Sequence, residues 1–373
     1  MTTPRARRLT YVVSSHGFGH AARACAVIEA LLEQVEALHV TVVGDVPPWF
    51  LHDSLGPRLP HRHMPLPTDV GLAQRTALDE DLSTTVDRLA EWIAIDGAAP
   101  PRLRDDTLEP LVEAVAGCDL VVADISPFGL AAARQAGVPS VLVENFTWDW
   151  IYRGYGDLEP RLTDLAQPLA EVFAGVDHHL QTEPFCQAAP GAVAVPPVAR
   201  RPRRDRAEIR RQLEIPDDAP MALVTMGGIE WDYDHLEDRL SDPSLPWLVI
   251  PGSCTAPRRH GRCWRLPHRS EHYHPDLVHA ADAVVGKLGY STLAEVWSAG
   301  IPYGFVPRAH FPESPPLADW VQRHLPHKEI PPQRFESGDW LDDVRELVAL
   351  GPIDPPAVTG AQVAASHLAS WLG

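Results

Sequence analysis

Gly286-Lys287-Leu288-Gly289-Tyr290-Ser291-Thr292-Leu293-Ala294-Glu295-Val296 follows the short apolar run Ala283-Val284-Val285. That order predicts a strand, a turn of small residues, and a helix starting near Ser291. Backbone amides and hydroxyls at such a helix start form an anion site suited to a diphosphate. Glu295, about one turn in, is placed to accept both hydroxyls of a ribose. The same letters also fit a capping pattern, with Ser291 or Thr292 as N-cap and Glu295 near the third helical position. That pattern leaves unexplained the glycines before it and the Gly300-Ile301-Pro302 strand start after it.

Working outward, Gly227-Gly228 closes a β-branched run at 222–225, and Pro251-Gly252-Ser253 closes another at 247–250. Three close-approach turns at successive strand ends outline one crevice, where open α/β sheets bind ligands. The N-terminal half has the same rhythm. Residues 9–13 form a strand ending at Ser14-Ser15-His16-Gly17-Phe18-Gly19-His20, a helical pattern follows over 21–34, and strands recur at 39–44, 119–124 and 140–144. Strand–helix–strand units imply parallel sheets with helices on both faces. Residues 190–206, with Pro196-Pro197 and a run of arginines, read as an exposed linker that meets solvent or an acidic substrate. The expectation is an α/β protein of two Rossmann-like domains, 1–200 and 206–359, with a final helical segment at 360–373.

Composition narrows the function. The chain has 373 residues, with 50 carboxylates against 32 Lys and Arg and a net charge of −18, which argues against nucleic acid as a partner. Five scattered cysteines form no C-x-x-C pair, and no apolar run approaches the ~20 residues of a membrane span. The basic start at residues 1–8 precedes a run too short for a signal segment. These features predict a cytoplasmic protein with no membrane span and no metal site. They carry no signal for oligomeric state.

His16 and His20 flank a turn that presents backbone amides at the sheet's C-terminal edge. A sugar acceptor must lose a proton as it attacks, and imidazole titrates in the right range. Asp124 ends a strand on the same edge and would fix the tautomer of such a histidine. It also fits as a cap for the turn before Pro127. His16 and His20 are four apart, but Gly17 and Gly19 interrupt a helix between them and no third metal ligand is near. Asn145-Phe146-Thr147-Trp148-Asp149-Trp150-Ile151-Tyr152 reads either as an aromatic wall for a sugar or as core packing.

At these residues the sequence resembles the GT-B glycosyltransferases. Residues 286–307 are similar to the donor segment of the branch containing the lipid-II N-acetylglucosaminyltransferase, with Leu288-Gly289 where that branch has Ser-Gly. The N-terminal half resembles the glycosyltransferase-like domain of plant L-arabinokinase and its bacterial relatives. The matching stretches are His16 to Arg23, Asp69-Val70-Gly71-Leu72-Ala73-Gln74, Asp124-Ile125-Ser126-Pro127 and Asn145 to Tyr152, and near the other end of the chain Arg308 to Leu317 resembles the same group's loop after the last sheet strand.

The resemblance implies a GT-B fold with a central cleft and a last helix crossing back to the first domain. His20 would be the base, supported by Asp124, with His16 as a further catalytic candidate. Gly227, Gly228, Tyr273, His274, Lys287, Gly289, Ser291, Thr292, Glu295, Arg308 and Glu313 would bind the donor. Gly17, Phe18, Gly19, Gln74, Asn145, Trp148 and Trp150 would bind a small-molecule or glycan acceptor. The expected reaction is inverting and metal-independent transfer from a nucleoside-diphosphate sugar, UDP or dTDP, with no other cofactor. Two alternatives stand beside it: a catalytically silent sugar-nucleotide binding module, and a GT-B-like epimerase.

Overall fold

In the N-terminal half, seven parallel strands lie side by side in the order Val193–Val195, His178–Thr182, Ser140–Glu144, Leu120–Asp124, Arg7–Val13, Leu38–Val43 and His61–Met64. This is a computed structural model, and it describes residues 6–56, 61–95, 100–228 and 231–373. Residues 1–5 of the basic start therefore lie outside the described residues. Leu120–Asp124 and Ser140–Glu144 are buried along their whole length, as expected of sheets covered on both faces. The chain leaves Arg7–Val13 toward one edge and returns to Leu120–Asp124 on its other side, so the switch point lies between Val13 and Asp124, which are paired in register.

The second sheet has the order Arg258–His260, Cys263–Pro267, Trp247–Cys254, Met221–Thr225, Ala283–Lys287, Tyr303–Val306 and His327–Glu329. Only Arg258–His260 runs antiparallel. Its switch point lies between Met221–Thr225 and Ala283–Lys287, with Thr225 opposite Gly286. Both sheets are thus doubly wound.

Several strands were not legible. His61–Met64, Arg258–His260 and His327–Glu329 are short, polar edge strands without the apolar runs of the sheet centre. The exposed-linker reading of 190–206 needs correction. Val193–Val195 joins the first sheet, and Val198, Ala199 and Arg200 beyond it are buried. The final helix Gly360–Trp371 packs Ala361, Ala364, Ala365 and Leu368 against Ala24, Ile28 and Leu31 of the helix Phe18–Gln34. Its start is a capping box, Thr359 with Gln362. All five cysteines are free thiols, and no helix among the described residues is long and apolar enough to cross a membrane.

Candidate functional site

Gly17 takes φ +70° at the junction of strand and helix, a conformation that glycine adopts without strain. That turn puts His20 in the first turn of the helix Phe18–Gln34, where its Nδ1 lies 3.0 Å from Asp124 Oδ1. A proton on Nδ1, held by that carboxylate, would leave Nε2 with the free lone pair. Asp124 also accepts Arg23 Nε at 2.8 Å and Nη2 at 2.6 Å. Burial alone would raise the Asp124 carboxyl, but the Arg23 charge and the bonds from Arg23 and His20 outweigh it and hold it below the usual carboxylate range. Asp124 does not cap the next helix. Ser126 does, accepting Gly129 N–H at 3.0 Å.

Arg23 was not singled out from the sequence, although it sits one turn beyond His20 on the same helix face. It is fully buried, donates to Asn145 Oδ1 at 2.7 Å and Thr182 Oγ1 at 3.2 Å, and lies 4.8 Å over the Tyr290 ring. Asn145 in turn donates to Glu313 Oε1 of the second domain at 2.7 Å. His16 stands 6.5 Å from His20 between ring centres, and its Nδ1 accepts Leu72 N–H at 3.2 Å. Burial, and then the positive charge of Arg308, push the His16 imidazole well below its ordinary range.

The other wall is the helix Tyr290–Ala299, which starts one residue before Ser291. Its N-cap is Gly289, with no side-chain hydrogen bond, so the capping reading of Ser291, Thr292 and Glu295 is wrong. The first-turn amides lack a side-chain partner and face the cleft. Glu295 is buried and already engaged. Oε1 accepts Arg200 at 2.9 Å and Oε2 meets His274 Nδ1 at 2.8 Å. Burial would raise Glu295, but Arg200 and His274 overturn this and hold it at about 2.

Two connected chambers fill the cleft. One, about 1000 Å³, holds Gly227, Gly228, Tyr273, His274 and Glu295 of the expected donor set, with Trp231 and His268. The other, about 680 Å³, brings together His16, Gly17, Gly19, His20, Gln74 and Asn145 with Lys287, Gly289, Arg308 and Glu313. Phe18, Gly227, Ser291 and Thr292 line both. A Cβ on Gly19 would stand 3.6 Å from Ser291 Oγ, so the two turns meet at this junction.

Some residues fall elsewhere than expected. Trp148 is fully buried, stacks on Tyr152 with ring centres 5.6 Å apart and donates its indole N–H to Asp69 at 3.0 Å, so its face is closed to a sugar. Trp150 lines a separate recess with Glu144, His179 and Cys186, away from the cleft. Phe18, read as an acceptor residue, stacks on Phe50 at 4.8 Å and faces His268 at 5.4 Å, in the chamber of the Gly227-Gly228 turn. Gly228 has φ +90° and a Cβ there would stand 2.4 Å from the Phe18 ring, so that glycine serves the domain contact. Arg308 and Glu313 lie in the chamber of the histidines, where Arg308 also approaches Glu80 at 3.4 Å. The arginine run is bound to protein: Arg200 donates to Ser54 Oγ at 3.1 Å, and Arg203 and Arg200 flank the Tyr273 ring at 4.6 and 5.1 Å. Among the described residues no cluster of His, Cys, Asp or Glu is set to hold a metal ion.

No protein-family model matches the chain. It is 31% identical over 373 residues to the L-arabinokinase of Arabidopsis thaliana, covering 96% of this chain and 34% of that protein. The chain thus spans about a third of that relative's length. It is 29% identical over 237 residues to an uncharacterized glycosyltransferase of Methanopyrus kandleri, covering 59% of this chain and 67% of that one. Among solved structures, the glycotransferase of kitacinnamycin matches with a TM-score of 0.61 at 17% identity, over 99% of this chain and 100% of that one. MurG of Acinetobacter baumannii matches with a TM-score of 0.51 at 14% identity, over 98% and 99%. The Streptomyces sp. SF2575 glycosyltransferase SsfS6, complexed with thymidine diphosphate, matches with a TM-score of 0.54 at 15% identity, over 97% and 99%. The chain therefore has the GT-B fold, and the resemblances drawn from its sequence hold in both halves.

Proposed function

We propose that this chain is an inverting glycosyltransferase that moves a sugar from a nucleoside-diphosphate donor to a hydroxyl of a small-molecule or glycan acceptor, without a metal. The observation that carries the reading is the His20–Asp124 pair at one switch point, facing the uncapped start of the helix Tyr290–Ala299 at the other. The larger chamber, with its aromatic walls and Glu295, would take the nucleoside. The smaller one would take the transferred sugar and the acceptor. The glycosyltransferases among the relatives, one of them holding thymidine diphosphate, support a UDP or dTDP donor. A cytoplasmic location is part of the same proposal.

In the proposed step, His20 Nε2 takes the acceptor hydroxyl proton as that oxygen bonds to the anomeric carbon. The bond from that carbon to the phosphate oxygen breaks, and its electron pair leaves with the diphosphate. One displacement inverts the centre. The charge developing on the leaving group is met by the amides of the Tyr290–Ala299 helix start, Ser291 and Lys287. Glu295 keeps lone pairs beyond those used by Arg200 and His274, and these would accept ribose hydroxyls.

A binding module without turnover is the second reading, since the L-arabinokinase match carries a kinase name and covers only a third of that protein. A thermal-shift panel of nucleoside diphosphates and their sugars tests the donor reading. A ligand at 100 times its dissociation constant adds about 2.7 kcal/mol to stability. No shift from UDP, dTDP or GDP in a folded sample would overturn the donor reading. A shift without release of free sugar or product would favour the module.

A further inference from the structure

The buried arginines of the cleft have carboxylate partners, whereas the half-buried Lys287 beside them has none. Arg23 is held by Asp124, and Arg200 by Glu295. The amine of Lys287, which ends the strand Ala283–Lys287, has neither hydrogen bond nor ion pair among the described residues, while the Lys287 carbonyl accepts the Tyr303 hydroxyl at 2.8 Å. It lies over the second glycine turn, where a Cβ on Gly227 would stand 3.4 Å from its Cε and 3.8 Å from its Nζ. No carboxylate among the described residues comes within ion-pair distance of the amine. Arg308 repels it, while Glu80 and Glu313 approach the Arg308 guanidinium at 3.4 and 3.6 Å. From the opposing turn come His16 and His20.

The position defines what is missing. The two chambers share Phe18, Gly227, Ser291 and Thr292, so a diphosphate joining nucleoside to sugar must pass that junction. Lys287 lines only the sugar-side chamber, beyond the junction from the nucleoside. Resting on the donor reading above, we infer that Lys287 receives the terminal phosphate of the nucleoside diphosphate and takes up a proton as that phosphate binds. The site thereby distinguishes diphosphate from monophosphate.

Burial, followed by the charge of Arg308, pushes the amine down to about 7, against the pull of Glu313 and Glu80. At about pH 8 roughly nine amines in ten are then neutral. A terminal phosphate, whose second ionisation lies near 6, is already dianionic there. Bringing the two together raises the lysine and draws in a proton from solution.

Isothermal titration of the parent, Lys287→Met and Lys287→Arg with UDP, dTDP, GDP and their monophosphates tests this. Each titration is run near pH 8 in two buffers of different ionisation heat. The diphosphate that binds the parent should take up close to one proton, about 0.9. Lys287→Met should take up none and bind that diphosphate about 10- to 100-fold more weakly, with the monophosphate unchanged. Lys287→Arg, already charged, should keep most of the diphosphate affinity without proton uptake. Proton uptake that survives in Lys287→Met, or an equal loss for mono- and diphosphate, would overturn the assignment. If the folded parent bound none of the six nucleotides, the donor reading itself would fall, a distinct result.

Discussion

At the first domain's switch point, the Asp124 carboxylate accepts three hydrogen bonds from His20 and Arg23, and the following helix Pro127–Ala136 is capped by Ser126. At the second domain's switch point, the Lys287 amine has no partner among the described residues, and the helix Tyr290–Ala299 starts at an uncapped glycine. The same strand–turn–helix plan thus has its charged groups paired on one side and left open on the other. A catalytic pair needs fixed geometry before the substrate arrives, whereas an anion site needs donors that water or ligand can fill. Burial is affordable on the first side only because every charge there is paired.

The largest expected effect tests the satisfied side. His20→Ala should lower turnover ~10²–10⁴-fold with nucleotide affinity unchanged, as read from steady-state rates and direct titration. Turnover near the parent's would move the base role to His16 or remove it altogether. Asp124→Ala should cost about 3–5 kcal/mol in denaturant unfolding, because it strands the buried Arg23 charge. A cost below about 1 kcal/mol would mean that Arg23 finds water and that the network is not fixed in advance.

Glu295 provides a pH test of the open side. Its folded carboxyl lies near 2, below the ordinary 4.5, so the unfolded chain binds its proton first as pH falls. The stabilisation is complete above about pH 4.5, and roughly 3 kcal/mol of it is lost as pH drops toward 2. Unfolding midpoints of the parent should therefore fall faster than those of Glu295→Gln between about pH 5 and pH 3. Parallel slopes would show that the Arg200–Glu295 pair carries no net charge linkage.

The smallest effects separate the two helix starts. Ser126→Ala should cost about 1 kcal/mol by removing a cap. Gly289→Ala should change stability by under about 0.5 kcal/mol, since extended backbone suits any residue. The φ of Gly289 is −146°, and a Cβ there meets no atom within 4 Å. That methyl group would stand where a ligand approaches, so nucleotide affinity should drop. Unchanged affinity would mean that the helix start is not the anion site.

The central strands and both glycine turns were legible because parallel strands buried on two faces read as unbroken apolar runs. His20 and Asp124 were legible because each sits at a strand end or turn that the rhythm marks. Arg23 was not, since its role depends on Asn145 and Thr182, over a hundred residues away. Trp148 was misplaced for a related reason. An aromatic run looks the same whether it lines a pocket or fills a core, and only the Asp69 bond shows which way the ring faces. The arginines at 200–206 look solvated by composition, but Glu295 and Ser54 draw Arg200 inward.

Arg200 has a kinetic consequence. It joins the helix Pro48–Leu55 of the first domain, through Ser54, to Glu295 in the donor wall of the second. Any swing of the domains that widens the mouth must either stretch this tether or carry both ends along. The lifetime of a nucleotide bound as proposed would then be set by how often a buried ion pair lets go. Weakening Ser54, far from any reacting atom, would shorten residence time without touching the proton transfer.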